Sequence, residues 1–378
     1  MKPQTIMVVA GEPSGDANAA ALVQALAAAL PGARFIGAGG PGMAAAGVAL
    51  SFDLTSDAVI GMSAVIKKLP RFISRLRELA RLAAAERPAL VVLVDFEFFN
   101  RRLARAVRAA ARAAGPAWRP RIVKYVSPQV WASRPGRAGK LARDFDLLLC
   151  LFPFEKEWYA RRLPQLRVEC VGHPMFDRGR AAAIEPANAT TTVVLLPGSR
   201  RGELRRHLPV MLAAADLIAA QRNVEFKLIT PDEKLAGMAR AAATGGPARI
   251  GIQTGNLEET LARATLAITK TGTITLECAR FGLPAVALYK TSLFTYLIAR
   301  RLVTVKFLSM PNLLAGEALY PEFIQDSATP RNIAGAALEL LAAPARLAQI
   351  RARLGEVVSA LGGPGATKRA AAAILELT

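Results

Sequence analysis

TVVLLPGSRRGEL, residues 192–204, reads in three parts: an apolar run, a Pro-Gly-Ser turn, and a charged segment that opens a helix. A strand that empties through a glycine turn into a helix is the repeating unit of a parallel α/β sheet. The same unit recurs on both sides of it. Downstream, EFKLIT (225–230), RIGIQTG (249–255), LAITKTG (266–272) and AVALYK (285–290) are short apolar strands separated by helical segments. Upstream, IMVVAG (6–11), RFIGAGG (34–40), ALVVLVDF (89–96), RIVKYVS (121–127), LLLCLFPF (147–154) and VECVG (168–172) alternate with Ala-rich helices in the same way. Between the two sets, RGRAAAIEPANATTT near 178–192 is small, polar and Pro-containing, and reads as a linker. A chain of 378 residues is comfortable for two cores. The expectation is therefore an α/β protein of two doubly wound, Rossmann-like domains with a cleft between them, ligands binding beyond the carboxyl ends of the strands.

Composition narrows the function classes. Lys and Arg total 49 against 29 acidic residues, a formal net charge of +20. Such a chain is drawn to nucleic acid, to an anionic bilayer, or to phosphate-bearing substrates. Nucleic acid is set aside: aromatic residues make up 6% of the chain, the basic residues are dispersed over many helices, and no helix-turn-helix, zinc-finger or RNA-binding signature is present. Cys150, Cys170 and Cys278 stand singly, without metal-ligand spacing, and the two histidines, His173 and His207, exclude a multi-histidine metal site. No signal peptide and no run of about 18–20 apolar residues is visible. The expected location is cytoplasmic, with contact to a membrane surface.

Residues able to carry chemistry fall where strands end. AGEPSGD (10–16) places Ser14, Gly15 and Asp16 at a helix start, either as a seat for an anionic or hydroxyl-rich ligand or as an ordinary capped turn. GAGGPGM (37–43) is a second Gly-rich turn, lining the cleft or merely connecting. Asp95 closes the apolar run ALVVLVD, where a carboxylate can take a proton from a sugar hydroxyl or can cap a helix; Glu97 and Asn100 follow it. In YVSPQVWASRPGR (125–137), Pro128 and Pro135 rule out a regular helix, and Ser127, Gln129 and Trp131 crowd a short loop that binds ligand or simply packs its tryptophan. Gly198, Ser199, Arg200 and Arg201 form the strongest motif. Backbone N–H groups and an arginine fork at a helix start suit a diphosphate, and arginine there opposes the helix dipole unless an anion is near. The segment lacks the Gly-Lys-Ser/Thr ending of an ATP-type loop. KTGTITLECARFGLP (270–284) adds Thr271, Gly272 and Thr273 for phosphate oxygens and Glu277 for a ribose. Asn312 in SMPNLLAGE (309–317) is a cleft residue or part of a turn. The stretch 59–79, with Lys67, Lys68, Arg71, Arg75 and Arg77 among apolar residues, is a membrane-surface element or a helix with a solvated basic face.

In order and spacing, AGEPSGD, GAGGPGM, VSPQVWA, FPFEKEWY, VGHPMFD, LLPGSRRGE, GTITLECARFGLP and SMPNLLAGE resemble the lipid-A-disaccharide synthase family, glycosyltransferase family 19, nearly end to end. The resemblance implies the two-domain GT-B plan. The acceptor would bind residues 1–178, joined by a returning helix at about 345–378, and the UDP-sugar would bind residues 190–344. It implies an inverting transfer from UDP-2,3-diacylglucosamine to 2,3-diacylglucosamine 1-phosphate (lipid X), with a β-1,6 link and no metal or prosthetic cofactor. Asp95 falls on the family's strand-end aspartate, the base for the acceptor 6-hydroxyl, and Arg200 on the arginine that neutralises departing UDP. Thr271, Gly272, Thr273 and Glu277 fall on the loop and helix that hold diphosphate and ribose, and Asn312 on the matching PNLLAG segment. The 59–79 stretch matches a region that touches the cytoplasmic face of the inner membrane, and a homodimer exchanging C-terminal segments is one state the family adopts. Two departures stand out. The family pattern Asp-x-Pro-Asp/Gly-Phe-Asn is here Asp95-Phe-Glu-Phe-Phe-Asn100, and Lys270 precedes Thr-Gly-Thr where Ser-Gly-Thr is commoner. UDP-N-acetylglucosamine 2-epimerases and peptidoglycan-type glycosyltransferases share the plan, but VSPQVWA and PNLLAG argue against them. A nonenzymatic binder of anionic lipid or nucleic acid is the reading that the Phe96–Phe99 departure favours.

Overall fold

Ile6–Ala10 and Leu90–Val94 are apolar at every position and fully buried, which requires cover on both faces of the sheet they form. The structure, a computed structural model, describes residues 4–57, 62–133, 135–178, 191–243, 245–246 and 248–377; the side chains of 57 and 62–69 lie outside that description. The chain divides into two units, Met1–Arg178 with Leu361–Thr378, and Gly179–Ala360. The linker expected at 178–192 falls almost wholly outside the described residues.

The first unit contains β1 (Thr5–Ala10), β2 (Arg34–Gly39), β3 (Ala49–Asp53), β4 (Leu90–Val94), β5 (Arg121–Tyr125), β6 (Leu147–Cys150) and β7 (Arg167–Cys170). They pair in the order β3-β2-β1-β4-β5-β6-β7, all parallel. The second unit contains β8 (Thr191–Leu196), β9 (Val224–Thr230), β10 (Ile250–Thr254), β11 (Leu266–Lys270), β12 (Ala285–Tyr289) and β13 (Glu322–Ile324). Their order is β10-β9-β8-β11-β12-β13, again all parallel. In each sheet the strand order reverses once, between β1 and β4 and between β8 and β11. A doubly wound sheet opens its crevice at that reversal. The loops leaving the four strands begin at Gly11, Asp95, Pro197 and Thr271, so the sequence motifs stand at both switch points.

β3 and β13 go unrecognised in the sequence. β3 (ALSFD) is an edge strand whose residues are all exposed or half-buried, and β13 is three residues long. Neither has the continuous apolar run of a central strand. A second difference concerns the end of the chain. The helix Pro344–Ala360 belongs to the second unit, not to the segment that returns to the first. It buries Leu347, Ile350, Leu354 and Val357 against helices Thr273–Arg280, Met310–Ala315 and Pro330–Ala342. Only Leu361 onward joins the first unit, where helix Ala366–Leu375 lies along helix Pro13–Ala29. The Asp177 carboxylate fixes its start by accepting hydrogen bonds from the N–H groups of Gly365, Ala366 and Thr367 at 2.7, 2.8 and 2.9 Å.

Candidate functional site

At the first switch point, β1 runs directly into helix Pro13–Ala29, whose first turn holds Ser14, Gly15 and Asp16. Asp16 is 6% exposed. Its carboxylate accepts hydrogen bonds from the backbone N–H groups of Gly40, Gly42 and Met43 at 2.7, 2.8 and 3.1 Å. A Cβ at Gly40 or Gly42 would lie 2.8 Å from that carboxylate, so the close approach needs glycine. Asp16, nominated as a ligand contact, is thus a brace that ties the first Gly-rich turn to the second. Ser14 is exposed and Gly15 buried beside the Asp95 Cβ.

Asp95 follows β4 in a left-handed conformation, φ 47°, and Phe96 repeats it at 42°. Helix Glu97–Ala113 then begins, with Phe96 at the N-cap and no side-chain capping bond. The alternative reading of Asp95 as a helix cap therefore fails. Its backbone is held firmly: the N–H donates to the Tyr125 carbonyl at 2.9 Å, and the carbonyl accepts from Asn100 Nδ2 at 2.9 Å and from Lys124 Nζ. Its half-buried carboxylate makes no hydrogen bond among the described residues. The departure at Phe96–Phe99 also has a structural reason. Phe72 meets Phe96, Phe98 and Phe99 at ring separations of 6.4, 5.4 and 4.9 Å, and a Cβ at Gly11 would lie 2.2 Å from the Phe96 ring. Burial pushes the Glu97 carboxyl up, against the pull of Lys124 and Arg101.

The loop after β5 contains a short helix, Val130–Ser133, between the two prolines that were expected to exclude one. One turn fits because Val130 lies two residues past Pro128 and the helix ends before Pro135. Within the loop, Ser127 Oγ and Trp131 Nε1 donate to Glu155 Oε1 at 2.7 and 2.8 Å, while Leu151 and Phe152 N–H donate to Oε2 at 3.1 and 3.0 Å. Glu155 is 1% exposed. Ser127 and Trp131, nominated for substrate, thus brace this loop; Gln129 is exposed. Glu155 is the residue that sequence reasoning missed, although its place three residues after Phe152 at a helix start is an N3 glutamate signal.

At the second switch point, Gly198 (φ 125°), Ser199 and Arg200 lead from β8 into helix Arg201–Ala219. Ser199, Arg200 and Arg201 are exposed. Glu203 gathers the turn: it accepts from Ser199 N–H at 3.0 Å and pairs with Arg200 and Lys270, each at 3.3 Å. Two cations against one carboxylate leave a net positive strand end. From β11 the chain passes Thr271 and Gly272 (φ 122°) into helix Thr273–Arg280. Thr273 is exposed at that helix start, Thr271 is 7% exposed, and Glu277 pairs with Arg280 at 3.6 Å. A cation pair beside two helix N-termini has the chemistry to hold an anion such as a diphosphate.

Similarity to known proteins identifies the family. The family model described as lipid-A-disaccharide synthetase matches residues 6–377. The lipid-A-disaccharide synthase of Solibacter usitatus is 37% identical over 98% of this chain and 97% of its own. That of Myxococcus xanthus is 36% identical over 99% and 98%. This chain belongs to the lipid-A-disaccharide synthase family. It is a glycosyltransferase of lipid A biosynthesis. Among solved structures, Acinetobacter baumannii MurG has a TM-score of 0.57 at 16% identity, covering 99% of this chain and 100% of that one. A UDP-GlcNAc 2-epimerase from Neisseria meningitidis, bound to UDP-GlcNAc, has a TM-score of 0.64 at 10% identity, covering both chains fully. These likenesses show the GT-B fold.

Against the family's motifs, the PNLLAG segment is a clamp. Asn312 is fully buried; its Nδ2 donates to the Tyr320 carbonyl and Glu322 Oε1, and its Oδ1 accepts from Tyr320 N–H, all at 2.8 Å. The amide nominated as a cleft residue is satisfied internally. His207 is a second internal tie. Its Nδ1–H donates to the Pro197 carbonyl at 2.8 Å and Nε2 accepts from Lys290 N–H at 3.0 Å, which fixes the neutral tautomer. Of the 59–79 stretch, 59–61 and the side chains of 62–69 lie outside the described residues; the rest continues helix Met62–Glu86, with Ile73 exposed. Helix Leu293–Leu302, singled out by nothing in the sequence, exposes Leu293, Phe294, Leu297 and Ile298. Among the described residues no single helix is long and apolar enough to cross a membrane.

Replacing Asn312 by Ala removes three buried hydrogen bonds and is expected to cost about 2–4 kcal/mol in urea unfolding. UDP affinity of the folded protein should stay within about twofold; a larger change would return Asn312 to the ligand site. The histidines set a pH dependence. Burial pushes His207 down, and His173 from 6.5 to about 4. Between about pH 6.5 and 4 the unfolded chain binds protons that the folded one refuses, so stability falls as pH falls through that window. Urea midpoints measured from about pH 6.5 to about pH 5 should decline, and a His173→Asn/His207→Asn variant should lose that part of the slope.

Proposed function

We propose that this chain transfers 2,3-diacylglucosamine from UDP to the 6-hydroxyl of 2,3-diacylglucosamine 1-phosphate (lipid X), with inversion, giving a β-1,6 disaccharide 1-phosphate and UDP. The observation that carries this reading is the Asp95 carboxylate at the first switch point: fixed by its backbone, it receives no hydrogen bond among the described residues. In the reaction the acceptor hydroxyl gives its proton to Asp95 as its oxygen bonds to the sugar anomeric carbon. The bond from that carbon to the diphosphate oxygen breaks, and the electron pair leaves with UDP. Arg200 and the starts of helices Arg201–Ala219 and Thr273–Arg280 stabilise the charge that develops there. Glu277, within the helix that carries Thr273, is the ribose contact in this reading.

The same reading places the enzyme on the cytoplasmic face of the inner membrane. Exposed Ile73 and Phe98, with Arg102 stacked 3.5 Å from the Phe98 ring centre, combine apolar surface with positive charge. Exposed Leu293, Phe294 and Leu297, with Arg300 and Arg301 in the last turn of their helix, repeat that combination in the second unit.

The test is UDP release from UDP-2,3-diacylglucosamine by the purified full chain in detergent micelles, with and without lipid X. Release that depends on lipid X and yields a disaccharide is expected. Asp95→Asn and Arg200→Ala should each lower kcat about a hundredfold or more while melting temperature holds. Near-wild-type turnover in either folded variant would remove that residue from its role.

A further inference from the structure

The acceptor end holds a charge that the reaction above does not use. Lys124 lies in β5 opposite Leu93 of β4 and is 1% exposed. Strand alternation puts its side chain on the face of Ile122, within the core that helix Glu97–Ala113 covers. A lysine ammonium so deeply buried is costly unless other groups compensate it. Here the ammonium donates to the Asp95 backbone carbonyl. Burial pushes its pKa down, and the carboxylates of Glu97, Asp95 and Glu12 oppose that shift. Those carboxylates come from the start of the covering helix, the end of β4 and the loop after β1. Glu97 stands where the family pattern has proline.

The backbone above Lys124 is strained. Two consecutive non-glycine residues, Asp95 and Phe96, sit at positive φ, a conformation that persists only where its surroundings impose it. Asn100 Nδ2 donates to the carbonyls of Val94 and Asp95, each at 2.9 Å, and Lys124 is the second donor on the Asp95 carbonyl. With that carbonyl drawn inward, the Asp95 carboxylate is left without a hydrogen bond among the described residues.

We propose that Lys124 is a positioning residue for the transfer: it holds the left-handed turn at Asp95–Phe96 and balances Glu12, Asp95 and Glu97, and so aims the Asp95 carboxylate at the acceptor. This rests on the reading of Asp95 as the base. The experiment is Lys124→Met in the full chain, which keeps length and apolar volume while removing donor and charge, followed by crystallography and steady-state UDP release. The expected result is loss of positive φ at Asp95 or Phe96, a melting temperature unchanged or raised, and kcat lowered about tenfold or more with both KM values within about twofold. An Asp95–Phe96 turn that survives the substitution overturns the proposal, and so does turnover within about twofold of wild type after the turn is lost. Lys124→Gln, uncharged and shorter, answers the same questions should the methionine variant fail to fold. If the wild-type chain shows no lipid X-dependent UDP release, the reaction assigned to it fails, while the crystal structures still decide whether Lys124 holds the turn.

Discussion

A parallel sheet wound in both directions from its centre has one place where neighbouring loops must part. In each unit that place lies beyond β1 and β4, or beyond β8 and β11. Loops that diverge cannot support one another by pairing, so they need another source of rigidity. Here it comes from single carboxylates that each accept several hydrogen bonds. Asp16 binds three N–H groups of the second Gly-rich turn, and Glu155 gathers Ser127, Trp131 and two backbone donors. Glu203 collects Ser199, Arg200 and Lys270, and Glu322 collects Leu308, Ser309 and Asn312. Each loop is stiffened before any ligand arrives, which lowers the entropy lost on binding.

This bracing divides the motif residues into two groups that look alike in sequence. Asp16, Ser127, Trp131 and Asn312 have the polar groups that ligands want, and the fold engages them internally. Asp95 keeps its carboxylate clear of donors among the described residues, and Ser199, Arg200 and Thr273 stay exposed where strands pass into helices. With two cations on one acid, the second switch point keeps positive charge that the carboxylate does not balance, which suits a further anion.

The fold was legible because the central strands are buried on both faces and write themselves as unbroken apolar runs; Leu90–Val94 is the plainest. β3 escaped notice because an edge strand with alternating half-exposed positions carries no such run. The positions of the site were legible for a related reason, since chemistry clusters where strands end. What each side chain does was not. The partner of Trp131 is 24 residues away and the partners of Asp16 lie 24 to 27 residues away, and no local pattern encodes those pairings. Glu155 and Lys124 illustrate the converse: a glutamate in a helix start and a lysine in a strand read as surface residues until burial is known.

The closing of the first unit by Leu361–Thr378 bears on how the protein is made. A ribosome delivers residues 1–178 first, then all of 179–360, and only afterwards the segment whose N–H groups meet Asp177. Throughout that interval helix Pro13–Ala29 lacks the cover of helix Ala366–Leu375. The second unit can therefore finish folding before the first, although it begins later. A nascent chain that has reached Ala360 would carry a complete second unit beside an unfinished first one.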